Sequence, residues 1–339
     1  MPDLRFGVED VVVGPTISRR SILLAGTAAI LGARPAASTP TPYPGGQTIK
    51  FVVPFPPGGS TDAVGRLVAD RLGARWAVTT IIENISGAGT NIGNERVARG
   101  ATDGSSILVT ASPMVANKFL YTRLTYDPVN DLIPLCQIAI VPNLLCARKD
   151  LPVADVAALI AYGKANPGKL TYGTTGIGTS THLSGELFRR MAGIEMLPVH
   201  YRGSAPAMND LLGGNIDLIF DNIGSVLPFA RAGQVAALGI TKLERSELAP
   251  EYPTVASTLP GFETTSFAGL MVRTGTQKAI CEIIERDGVA ICAEPQLRER
   301  LAGLGMETVG RNAAEFSSWL EAERAKWGKL IAELNIHIE

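Results

Sequence analysis

Short apolar strands that break into loops of glycine, serine and threonine, each running into a helix, recur along this chain and confine it to few folds. Ile49–Val53 is an apolar run broken by Pro54-Phe55-Pro56-Pro57-Gly58-Gly59-Ser60-Thr61, and helical spacing of Val64, Leu67, Val68 and Leu72 follows over 62–72. Thr80-Ile81-Ile82 repeats the phrase, with the loop Ser86-Gly87-Ala88-Gly89 and a helix from Asn91 onward. A third strand, 107–109, runs into Ala111-Ser112-Pro113. Further on, 170–173 leads through Thr174-Thr175-Gly176-Ile177-Gly178-Thr179-Ser180 into a helix with Leu183, Leu187 and Met191 on one face. The strand 197–201 enters Arg202-Gly203-Ser204 and a helix over 205–212. The strand 216–220 ends at Asp221-Asn222, before a short helix and a strand at 236–240. This alternation predicts an α/β fold of mostly parallel sheets with helices on both faces. The last sixty residues read as helices over 278–292, 296–304 and 313–334, and the stretches 135–147 and 266–272 are candidate crossings between two lobes.

A chain of 339 residues has room for two ordinary domains plus a removable leader. Residues 18–38 have the form of an export signal: Arg19-Arg20, an uncharged run ending near Gly32, then small residues at 36–38. The arginine pair resembles a twin-arginine signal, with an ordinary secretory leader as the alternative. The expected division is an export signal at 1–38, a linker at 39–46, a first lobe at 47–143, a second at 144–266, and a return to the first at 267–339. The 31 Lys and Arg against 32 Asp and Glu leave no basic field for nucleic acid. Cys136, Cys146, Cys281 and Cys292 show no metal-ligand spacing, so no metal or other cofactor is expected. Cys281 and Cys292 fall on one expected helix, roughly 16 Å apart, too far to bridge. The cysteines read as buried free thiols, with a Cys136–Cys146 bridge as the alternative.

In parallel α/β sheets ligands sit beyond the carboxyl ends of strands. Here those ends lead into helix N-termini, whose unpaired amides and dipole favour an anion. The loops at 57–61, 86–91, 174–180 and 203–204 therefore offer neutral donors that can surround a carboxylate. Enzyme signatures are weaker. Gly58-Gly59-Ser60-Thr61 lacks the lysine of a phosphate loop, Gly176-Ile177-Gly178 lacks a third glycine, and no GxSxG elbow occurs. The histidines are His182, His200 and His337. His182 and Asp221 each read equally as ligand contacts or as capping residues. Asp62 reads as a first-turn acid facing its own helix dipole in preference to a ligand contact, and for Arg202 pairing with a second ligand carboxylate competes with a slightly favoured solvated surface role.

The segment Val52-Val53-Pro54-Phe55-Pro56-Pro57-Gly58-Gly59-Ser60-Thr61-Asp62 is similar to the opening signature of the Bug family, extracytoplasmic receptors of tripartite tricarboxylate transporters. Glu83-Asn84 with Gly87-Ala88-Gly89, Leu124-Thr125-Tyr126-Asp127, Asn166-Pro167-Gly168-Lys169, Tyr201-Arg202-Gly203-Ser204-Ala205-Pro206 and Phe220-Asp221 continue the series in order. The resemblance spans about residues 47–336. It implies a two-lobed periplasmic binding fold with a hinged cleft, in which main-chain donors and hydroxyls of the first two loops hold a ligand carboxylate and the second lobe completes the pocket. Carried over by position, it points to Pro57, Gly58, Ser60, Thr61, Ala88, Gly89, Thr90, Thr179, Ser180, Thr181, His182 and Asp221. Gly59, Ser112 and Thr175 belong to the same strand-end loops, and Tyr201, Arg202 and Phe267 are candidates for the far end of the ligand. Thr90 departs from the glycine of many relatives, and Asn84-Ile85-Ser86 from their Asn-Arg-Pro. The expected function is capture of a small carboxylate by a monomer that serves membrane transporter subunits. The alternatives are a periplasmic sensor signalling to a membrane kinase, and an enzyme on the same fold using His182 and Asp221.

Overall fold

The computed structural model describes residues 43–334. The expected export signal, the linker residues 39–42 and the last five residues lie outside the described residues. Strands β1 (Ile49–Val53), β2 (Thr80–Asn84) and β3 (Ser106–Thr110) run parallel in the order β2-β1-β3. Helices α1 (Ser60–Trp76), α2 (Asn91–Ala98) and α3 (Pro113–Leu120) follow them in turn. The apolar run of β1 is continuous because both of its faces are covered. Phe51 and Val53 join Val64, Val68 and Leu72 of α1, while Val52 between them joins Met114 of α3 on the opposite face.

A 17-residue strand, β4 (Leu132–Arg148), joins the two lobes. Its first part pairs antiparallel with β9 (Thr265–Arg273), from Leu132 opposite Arg273 to Pro142 opposite Thr265, and with β10 (Glu307–Arg311). From Asn143 onward it pairs instead with β7 (Leu218–Asn222) and β8 (Val235–Ile240). The second sheet continues through β5 (Leu170–Thr174) to β6 (Met196–His200), with β5 parallel to both β6 and β7. Its helices are α4 (Val156–Ala165), α5 (Ser180–Ala192), α6 (Ser204–Leu212) and α7 (Ile223–Arg231). Helices α8 (Lys278–Cys292), α9 (Pro295–Gly303) and α10 (Ala313–Leu334) return to the first sheet. Both sheets are thus mixed: three parallel strands each, completed by antiparallel crossing strands.

Four elements depart from the sequence reading. Helices α3 and α4 form where no helix is expected, and β10 interrupts the helical C-terminal region because Glu307 and Thr308 find open partners in Ile140 and Ala139. Strand β7 starts two residues later than expected, so Asp221 and Asn222 lie inside the sheet opposite Leu144 and Asn143 rather than in a loop. All four cysteines are free. A Cys136–Cys146 bridge is ruled out because both lie on β4 ten residues apart, about 30 Å along an extended strand.

Packing in the second lobe is tight where α5 crosses β5. A Cβ added at Gly185 would lie 2.0 Å from Cε2 of Tyr172. That ring is fully buried, its hydroxyl donates to Glu186 Oε1 at 2.6 Å, and Phe220 stands edge-on to it. The ring has nowhere to retreat. Gly185→Ala is expected to lower unfolding stability by roughly 1–3 kcal/mol in urea titrations; an unchanged midpoint would contradict this packing.

Candidate functional site

A cleft of about 740 Å³ opens where the carboxyl ends of β1 and β3 face those of β5, β6 and β7. That volume suits a small molecule. From the first lobe Phe55 to Thr61 and Ala111 to Pro113 line it; from the second come Thr175, Thr179 to Thr181, Arg202 to Ser204, Asn222 and Ser225. Ser266, at the start of β9, completes the lining, and Ser112 donates its hydroxyl to Ser266 Oγ at 2.9 Å.

The first loop is held from behind. Gly58 has φ of +89°, a conformation natural only to glycine, and its N–H donates to Asp62 Oδ2 at 2.9 Å. Arg66 Nε donates to the same oxygen at 2.9 Å, and Asn84 Nδ2 donates to Oδ1 at 2.8 Å and to the Phe55 carbonyl at 3.1 Å. Burial pushes the Asp62 carboxyl up, but the bonds from Arg66, Gly58 and Asn84 outweigh it and hold the pKa below its ordinary value. Asp62 therefore clamps the loop rather than facing a ligand. Gly59 caps α1 with no side-chain bond, which leaves the amides of the first turn without a capping side chain.

In the second lobe a hydroxyl cluster forms the wall. Thr175 N–H donates to Thr181 Oγ1 at 2.8 Å, and Thr181 Oγ1 lies 2.8 Å from Thr179 Oγ1. Thr179 caps α5 by accepting from the His182 N–H, and donates to the Gly176 carbonyl at 2.6 Å. Gly203, which caps α6, and Asn222, which caps α7, also make no side-chain cap bond. The amide oxygen of Asn222 has no hydrogen-bond partner among the described residues.

Ten sequence candidates come together on this cleft: Pro57, Gly58, Gly59, Ser60, Thr61, Ser112, Thr175, Thr179, Ser180 and Thr181. Phe267 and six others do not line it. The loop carrying Ala88, Gly89 and Thr90 follows β2, the edge strand, and is bound sideways: Asn117 Nδ2 donates to the Gly89 carbonyl at 2.7 Å, and Asn94 Nδ2 to Thr90 Oγ1 at 3.1 Å. Thr90 has φ of +81°, a strained conformation for a β-branched residue. His182 is buried, and its Nδ1 accepts the Gly178 N–H at 3.2 Å, so the ring braces the loop. Burial pushes its pKa down to about 4. Tyr201 donates its hydroxyl to Asp210 Oδ2 at 2.6 Å. Asp221 is fully buried one layer behind Asn222. Burial pushes its pKa up to about 6, against the nearby Ser204 hydroxyl and the Asn222 N–H.

Asn222 and Ser225 are lining residues absent from the sequence candidates, whereas Arg202 and Ser204 belong to the Arg202-Gly203-Ser204 loop already marked there. Arg202 was legible as the one guanidinium in these loops; its exposure on the cleft wall was not. The lining contains no carboxylate, and Arg202 is its single charged side chain. With helix N-termini around it, the cleft has the electrostatics of an anion site.

Comparison with known proteins agrees with this architecture. A sequence model described as "Tripartite tricarboxylate transporter family receptor" matches residues 64–336. An R. palustris protein solved with adipate is 35% identical, with a TM-score of 0.77 over 84% of this chain and 96% of its own. The periplasmic binding protein BugD is 31% identical, with a TM-score of 0.75 over 86% and 99%. MatC from Rhodopseudomonas palustris, solved with bound malate, is 29% identical, with a TM-score of 0.72 over 84% and 98%. Among the described residues no helix is long and apolar enough to cross a membrane. The chain belongs to the tripartite tricarboxylate transporter receptors, the Bug-type periplasmic solute-binding proteins, and has their two-lobed fold.

Proposed function

We propose that the cleft captures a small dicarboxylate: one carboxylate on the helix starts at Ser60 and Ser180, the other toward Arg202. The observation that carries this reading is the lining itself, acid-free and rich in hydroxyls, with one guanidinium. Adipate and malate in the two similar structures support the ligand class. The lobes, taken as 47–143 with 267–339 and as 144–266, close about the crossings near Asn143 and Thr264. Binding favours the closed state by its differential affinity, and the closed form is the one presented to membrane transporter subunits. The protein acts outside the cytoplasm, delivered by its export leader, whether secretory or twin-arginine-like. It acts as a receptor and not as an enzyme: His182 is buried and braces the Gly178 loop, and Asp221 is buried away from the cleft lining.

Calorimetric titration with adipate, malate, a monocarboxylate of matched length and the corresponding diamine tests the proposal. Binding of at least one dicarboxylate is expected, with none of the diamine. Arg202→Gln is expected to weaken the dicarboxylate about tenfold, near 1.4 kcal/mol, and to leave the monocarboxylate nearly unchanged. Equal loss for both acids would remove Arg202 from the ligand; no binding of any acid would overturn the reading.

A further inference from the structure

Two cysteines far apart in sequence meet in the first-lobe core. Cys136 lies on β4 and Cys292 at the end of α8, and both are buried in the same apolar cluster. Gly288, one turn before Cys292, brings helix and strand together: a Cβ there would lie 3.2 Å from Cys136 Cβ and 3.5 Å from its Sγ. Cys292 Sγ donates to the Gly288 carbonyl at 3.2 Å and reaches toward the Ile138 carbonyl on the same strand as Cys136, at 3.9 Å. On the far side, Gly310 of β10 would place a Cβ 2.9 Å from Cys292 Cβ, so this side chain is walled in on the strand. Nothing in ligand binding uses these thiols.

We propose that Cys136 and Cys292 are a disulfide site, closed when the chain folds in an oxidising compartment. Members of this family work in the periplasm, where disulfides persist. The reaction needs a disulfide oxidant, either a small disulfide or a thiol–disulfide oxidoreductase. One thiolate attacks the oxidant's S–S bond, giving a mixed disulfide, and the second thiolate displaces the oxidant's sulfur. Two S–H bonds are lost, one S–S bond forms, two electrons pass to the oxidant, and it leaves as a dithiol or two thiols. The contact with Cys292 and burial push the Cys136 thiol far up, so the folded dithiol resists attack. Closure therefore belongs to folding, before α8 docks on β4. Cys146, in the second-lobe core, and Cys281, at the start of α8, stand apart from the pair.

The test uses the purified chain, unfolded with reductant and refolded in excess oxidised glutathione, with alkylation and peptide mass spectrometry. The expected product is a cross-linked pair of peptides carrying Cys136 and Cys292, with Cys146 still alkylated. The bond closes a long loop, so the oxidised protein is expected to melt about 5 °C or more above the reduced one. In the Cys136→Ala, Cys292→Ala variant that difference should vanish while the fold remains. Recovery of Cys136 and Cys292 as alkylated or glutathione-capped peptides, pairing with another cysteine, or a lower Tm on oxidation would each overturn the proposal.

Discussion

Asp221→Asn and His182→Asn are expected to tilt the pH dependence of stability in opposite directions, each by about 3 kcal/mol between pH 4 and 6.5. Asp221 has its folded pKa pushed up to about 6 from 3.8 by burial. The folded protein thus holds a proton that the unfolded chain releases, and stability falls as pH rises through that window. His182 has its folded pKa pushed down to about 4 from 6.5, also by burial. Here the unfolded chain takes up a proton that the folded protein refuses, so stability falls as pH drops. In the native sequence the two slopes oppose each other. Asp221→Asn leaves the histidine slope, and the variant should lose stability on acidification while gaining it at pH 7.5. His182→Asn keeps an acceptor for the Gly178 N–H and leaves the aspartate slope, so that variant should gain stability toward pH 4. His200, lowered by burial against Glu186, adds in the same direction as His182. Asp62, Asp127 and Asp287 have lowered values, so their contributions are lost only below about 3.8, outside the window. Urea unfolding at intervals from pH 4.2 to 7.5 reads the slopes directly; parallel curves for the two variants would refute the assignment.

Those two residues also show where the sequence could be read and where it could not. The strand–loop–helix phrase placed α1, α5, α6 and the C-terminal helices because their apolar spacing and glycine loops are local signals. Helix α3 carried a signal that went unused: Ser112 before Pro113 at the first helical position, then Met114, Val115 and Leu120 on a buried face. Strand β10 carried none, since Glu307 to Arg311 becomes a strand only because β4 offers an open edge. The cleft was legible to the extent that loops at strand ends and helix starts mark it. What the sequence could not supply was depth. His182 and Asp221 sit beside lining residues, yet both are buried behind the cleft wall, where His182 braces the Gly178 loop. Arg202 is exposed, as a surface role requires, yet it stands on the cleft wall after β6, a place that depends on how the two lobes face each other. The second glycine loop stands off the cleft lining because β2 is the edge strand, a fact set by pairing order.

Asp62→Asn is expected to cost about 3 kcal/mol of stability and to weaken ligand binding tenfold or more, although Asp62 faces away from the cleft. The carboxylate is nearly buried, and its two oxygens meet three donors: the Gly58 N–H, Arg66 Nε and Asn84 Nδ2. An amide has one oxygen. If that oxygen serves Gly58 and Arg66, its NH₂ group points at the NH₂ of Asn84. Asn84 cannot turn over to accept, because its Nδ2 also donates to the Phe55 carbonyl at 3.1 Å. If the oxygen serves Asn84, the Gly58 N–H loses its partner, and with it the bond that fixes the left-handed turn before α1. Either way the segment 55–59 is freed at the point where it presents its donors, and ordering it again on binding is subtracted from affinity. Gly185→Ala provides the comparison, since it strains the second lobe without touching this loop. Calorimetry on the folded fraction of both variants separates the two effects. Loss of affinity confined to Asp62→Asn supports the clamp. A loss that follows stability alone in both variants would show that the first loop needs no support from behind.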